Sequence, residues 1–207
     1  MRVAVPPEQT GAPAVPARAC AAERLPAAVT LIEPDSSLEP ITPGTAIPTR
    51  DTVLNLLTEC TIAHFACHGV VDPVDPSQSR MLLHDHADSP FTVDALAPIH
   101  LDHARLAYLS ACETALTYHA HLIDESIHLA SAFQLAGYRH VVGTLWPIDD
   151  RTSVTIADTF YAKITPGEGG EMETDRAALA LHDAVRALRD DFPTTPVLWA
   201  CYTHTGA

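Results

Sequence analysis

No apolar run in this sequence approaches the roughly 18 to 20 residues that a membrane-spanning helix needs. Pro6 and Pro7 also interrupt the start before a signal-peptide apolar stretch can form. Cationic charge is scarce. Only 12 Lys and Arg stand against 26 Asp and Glu, a formal charge of −14 that repels a phosphate backbone and an anionic membrane surface alike. Direct nucleic-acid binding and membrane association are excluded as first readings. The five cysteines, at positions 20, 60, 67, 112 and 201, are odd in number and include no C-x-x-C pair, which argues against a disulfide framework and a zinc ribbon. Free thiols fit a reducing compartment, so the expectation is an intracellular, cytoplasmic protein.

What is present is apolar enough for one folded domain: 47% of the 207 residues are hydrophobic and 18% charged. Nine of the 17 prolines fall within residues 1–50, and proline removes backbone donors and restrains the residue before it. Residues 1–41 therefore read as a Pro-rich linker or irregular N-terminal segment, with 27–32 (AAVTLI) its one short strand, and 42–207 as the domain proper.

Within that domain, apolar periodicity predicts alternating elements. After Asp51, a candidate N-cap, Val53, Leu56 and Leu57 recur at helical spacing, and 61–67 (TIAHFAC) reads as a buried strand that Gly69 breaks. Residues 70–90 read as a solvated acidic loop around an apolar patch at 81–83, followed by a short helix at 92–98. A second buried strand is predicted at 105–111 (RLAYLSA), then a helix with Ile123, Ile127, Ala130 and Phe133 on one face, stopped by Gly137. A third strand follows at 139–146. Asp149 or Asp150 caps a helix to about Ile164, Thr174 caps another carrying Ala178, Leu181, Val185 and Leu188, and 197–202 (VLWACY) reads as a last strand. Strands alternating with helices predict an α/β fold, a mostly parallel sheet with helices on both faces. In such sheets the working crevice lies at the carboxyl ends of the strands.

Two residues stand just past predicted strands: His68 and Cys112. A thiol attacks strongly only as thiolate, which a neighbouring imidazole promotes. If the two strands are neighbours, both side chains emerge at one sheet edge, and the backbone amides of Gly69 and Cys112 can face a tetrahedral oxyanion. On the residues alone, a buried thiol and a separate core histidine remain the alternative. Cys67 alternates away from His68 and is expected to pack inward. The close histidine pairs His64/His68, His84/His86 and His119/His121 lack the ligand spacing of a metal site, so no metal is expected. PGEGGE at 166–171 lacks the Lys and Ser/Thr of a phosphate loop and reads as surface, and Trp146 and Trp199 read as core.

Taken together, HFACHG at 64–69, LSACETAL at 109–116, DESIHLASAFQLAG at 124–137, VVGTLWPIDD at 141–150 and VLWACY at 197–202 resemble the CHAT domain, a caspase- and separase-like cysteine peptidase family. The motifs stand in the family's order over residues 50–203. The resemblance implies a caspase-like sheet, a His68–Cys112 dyad, no cofactor, and cleavage of peptide bonds in a protein or peptide substrate, with room for a regulatory protein partner. It implies further that Asp150 lines the pocket for the residue before the cut, although helix capping alone also accounts for an Asp there. Asp124 and Glu125 match the family's acidic pair, but negative charge at a helix N-terminus is the favoured reading of both. The short N-terminal region departs from the family, which usually begins with a further strand and helix. The expectation is a domain lacking that first strand and helix, or the C-terminal piece of a longer protein. Two other functions remain open: a catalytically inactive caspase-like interaction or assembly module, and a thiol-dependent enzyme acting on small acyl compounds.

Overall fold

The chain is described here by a computed structural model covering residues 2–4, 31–32, 47–110, 129–148, 150–166 and 171–207. In chain order the elements are β1 (Arg2–Ala4), β2 (Leu31–Ile32), α1 (Arg50–Leu57), β3 (Ile62–Ala66), β4 (Gly69–Val70), β5 (Arg80–Met81), β6 (Phe91–Thr92) and α2 (Val93–Leu96). Then follow β7 (Leu106–Leu109), α3 (Leu129–Leu135), β8 (His140–Thr144), α4 (Asp150–Ile164), α5 (Ala177–Asp191) and β9 (Tyr202–Gly206). Short 3-10 turns lie at Pro76–Gln78, Thr174–Arg176 and Pro196–Leu198.

Six strands form the main sheet in the order β2-β1-β3-β7-β8-β9, and only β9 runs antiparallel to its neighbour. This is the mostly parallel α/β sheet expected of a caspase-like domain. Its central strands are buried on both faces, and their alternation sorts two cores. Ala107 and Leu109 of β7 join Ala63, Phe65 and Val141 beneath α1, α2 and α3. Leu106 and Tyr108 join Val142 beneath α4 and α5. Helices thus cover both faces. In the first core Phe65, Phe91 and Phe133 meet with ring centroids 5.2 to 6.3 Å apart. Burying each such ring stabilises the fold by about 1.5–3 kcal/mol.

The N-terminal edge differs from expectation. Arg2–Ala4 pairs in parallel with β3, with Arg2 opposite His64 and Ala4 opposite Ala66, and Leu31–Ile32 pairs with β1 in turn. Residues 1–41, expected as a Pro-rich linker or irregular segment with one short strand at 27–32, therefore supply two of the six strands: β2 lies within that expected strand, and β1 was not foreseen. Three residues ahead of the Pro6-Pro7 pair leave too short an apolar pattern to read as a strand, and the partner's ladder decides the conformation.

Other boundaries moved for local reasons. Thr49, not Asp51, caps α1: its backbone is extended and its hydroxyl accepts from the Thr52 amide at 3.3 Å, while Asp51 lies in the first turn. Gly137 does stop α3, with φ +123° and its amide donating to the Gln134 carbonyl. Thr174 lies inside a 3-10 turn with its side chain buried and does not cap α5. The face of α5 shifts accordingly: Ala177, Ala180, Leu181, Ala184 and Leu188 are buried, Ala178 is exposed. The last strand begins at Tyr202, where the expected one ended, because Pro196 starts a 3-10 turn that withholds 196–198 from the ladder.

Candidate active site

Everything that positions the candidate site follows from β3 and β7 being hydrogen-bonded parallel neighbours, with Ile62 opposite Leu106 and Phe65 opposite Leu109. Both strands end at the same edge. The ladder continues one bond further, the Ser110 amide donating to the Phe65 carbonyl at 2.8 Å. Cys67 follows β3 and turns its side chain into the first core, as expected from alternation. His68 comes next and is half-buried at the carboxyl end of β3. Cys112 lies outside the described residues, two positions beyond Ser110. His119, His121, Asp124 and Glu125 lie outside them as well.

The backbone of His68 is held from the side by a small antiparallel sheet. Its carbonyl accepts from the Leu82 amide at 2.8 Å, and Gly69 pairs with Met81 as β4 meets β5 and β5 meets β6. The acidic loop is therefore more ordered than its composition suggests. Asp72 accepts from the Val74 and Asp75 amides at 2.9 Å each, and these bonds hold its carboxyl below the usual aspartate range. Asp75 caps the following 3-10 turn, and Asp85 accepts from the Arg50 amide at the start of α1. These three carboxylates satisfy backbone donors.

Asp150 is the first residue of α4, reached from the carboxyl end of β8, the strand next to β7. The chain thus leaves three adjacent strands at one edge near His68, near Cys112 and before Asp150. Sequence reasoning missed a fourth contributor. The Leu145 amide donates to the Cys201 carbonyl at 2.9 Å and the Trp146 indole N–H to the Val197 carbonyl at 3.0 Å, so the C-terminal segment reaches this same edge. Trp146 and Trp199, expected in the core, are both only half-buried; Trp199 packs against the second core with its indole bonded to the Phe192 carbonyl. The Pro196 punctuation was the available signal.

His64 is buried on the side of the second core, with its ring 4.8 Å from Tyr108 and 5.6 Å from Tyr161. Among the described residues no three His, Cys, Asp or Glu side chains group to hold a metal ion. Nor is any helix among them long and apolar enough to cross a membrane.

No curated protein matches the chain. The family model of the CHAT domain, a caspase-like peptidase family, matches residues 4–207, and its span takes in the Pro-rich start as well as the edge where His68 leaves β3. With that match over nearly its whole length, the chain belongs to the CHAT domain family.

Proposed function

We propose that this protein is an intracellular cysteine endopeptidase that cleaves a protein substrate through His68 and Cys112. The observation that carries the reading is the parallel pairing of β3 with β7, which brings the chain just before His68 and the chain just before Cys112 to one edge of the sheet. Family membership adds a caspase-like peptidase background. In this mechanism His68 takes the thiol proton and the Cys112 sulfur attacks the scissile carbonyl carbon. The Gly69 and Cys112 amides donate to the oxyanion that forms. The C–N bond then breaks, His68 protonates the departing amine, and water hydrolyses the thioester to free the carboxylate and the thiol. Asp150, beginning α4 beside this edge, is the residue that would contact a basic side chain before the cut.

The test is a peptide library digested by the full chain and by Cys112→Ala, read by mass spectrometry, with an active-site-directed electrophilic peptide as a parallel probe. Cuts made by the wild type alone, together with probe adduct at Cys112, support the reading. No cuts and no adduct above those of the other cysteines would overturn it in favour of an inactive interaction module.

A further inference from the structure

At the opposite end of the sheet from His68, two histidines meet across the last ladder. His140 opens β8, His204 lies on β9, and Nδ1 of His140 is 3.1 Å from Nε2 of His204. His140 is nearly fully buried, while its other nitrogen, Nε2, is 3.7 Å from the Asp175 carboxylate, which is largely exposed. We propose that this pair is an acid-sensitive clasp that holds the edge strand β9 to the sheet at neutral pH and releases it when both imidazoles are charged.

Two imidazoles have four ring nitrogens, and the contact between them carries one hydrogen shared as donor and acceptor. The bond therefore survives whether the pair is neutral or carries one added proton. A second added proton places two N–H groups head to head and two like charges in contact, so the bond is lost. The Asp175 carboxylate, exposed to solvent, offsets little of that repulsion.

The other groups around the pair do not replace this balance. From β9 the same face carries Tyr202, from β7 Tyr108 and from α4 Tyr161; these lie together further along the sheet, and burial pushes the Tyr108 phenol well up, so it stays neutral. Beside Asp175, Arg176 is paired with Glu173 at 2.8 Å and Lys163 with Asp183 at 3.3 Å. Burial and the adjacent His140 hold His204 below the ordinary histidine value of 6.5. The sign follows. The unfolded or detached strand binds a proton that the paired strand refuses, so the stabilisation is fully present above 6.5 and is lost as pH falls through the lower, folded value. The detaching strand would take with it the Cys201–Leu145 and Val197–Trp146 contacts at the far end.

Hydrogen exchange on the full chain, corrected for intrinsic rates, tests this. Between about pH 7.5 and about pH 5, protection of the β8–β9 amides should fall by about tenfold or more relative to the β3–β7 amides. In His204→Gln, whose amide side chain can bond His140 but cannot titrate, the ratio should stay flat. Equal loss in both ladders, or the same loss in the variant, would overturn the clasp. An imidazole nitrogen titration of the wild type gives a check independent of any variant. The β9 amide shifts should follow the His204 midpoint, and both rings charging while those amides stay protected would refute the proposal.

Discussion

The Ser110 amide donates to the Phe65 carbonyl at 2.8 Å, one bond beyond the point where β3 and β7 end as strands. That bond fixes the last described residue before the Cys112 segment against the strand that delivers His68. If His68 and Cys112 act as proposed, a ladder that runs to within three residues of the one and two of the other would limit the loss of effective concentration that freely rotating residues bring.

Alkylation should separate the cysteines. Iodoacetamide is expected to label Cys112 fastest, because Cys67 is buried and burial pushes the Cys201 thiol up to about 12, leaving almost no thiolate at neutral pH. Cys112→Ala should abolish peptidase activity. Uniform labelling, read by peptide mass mapping, would count against the assignment.

His68→Ala should lower turnover by about 10²-fold or more with an unchanged circular dichroism spectrum. The fold should persist because the hydrogen bond that ties His68 to the small sheet uses its backbone carbonyl. A variant that keeps its turnover returns His68 to a structural role.

Asp150→Asn should selectively weaken cleavage after Arg or Lys, with Arg the preferred residue since its planar fork pairs both carboxylate oxygens. The net charge of −14 favours cationic substrates in the same direction. Library profiling that finds best cleavage after Asp or an apolar residue would eliminate this pocket.

Phe133→Ala should destabilise the domain by about 3–5 kcal/mol, measured by urea unfolding. The ring is fully buried and touches Phe65, Phe91 and Tyr138, so its loss opens a cavity that rigid aromatic neighbours cannot refill.

Gly137→Ala should cost roughly 1–3 kcal/mol in the same assay. At φ +123° a side chain is strained, and an added Cβ would run into the backbone carbonyl oxygen of Leu101, which is itself anchored by donation of the Leu101 amide to Ala136. A neutral outcome would mean that this loop shifts freely.

The sheet was legible where burial on both faces made the signal dense. β3, β7 and β8 are short, mainly apolar runs with small residues, interrupted only by His64 in β3 and bounded by His140 and Thr144 in β8. β2 falls within the short strand read at 27–32, but β1 was not legible, because a strand this short carries no period and owes its conformation to the ladder beside it. The cap of α1 went to Thr49 because its extended backbone precedes the helix and lets its hydroxyl reach the Thr52 amide, whereas Asp51 is already within the first turn. Of the candidate site, the position of His68 just past a strand and of Asp150 at the start of a helix could be read from the sequence. The approach of Val197 to Trp146 could not, since it joins segments far apart in the chain with no shared periodicity.

Neighbours in the main sheet are remote in sequence: α2 and the small sheet intervene between β3 and β7, α3 between β7 and β8, and both α4 and α5 between β8 and β9. None of these ladders can zip locally from a turn, so each pays loop-closure entropy before its hydrogen bonds form, and folding should be slow for a domain of this size. Until β9 arrives, β8 presents a buried-type strand, apolar at Val141 and Val142, with a bare edge, which makes the nearly finished sheet the most aggregation-prone species on the way to the native state.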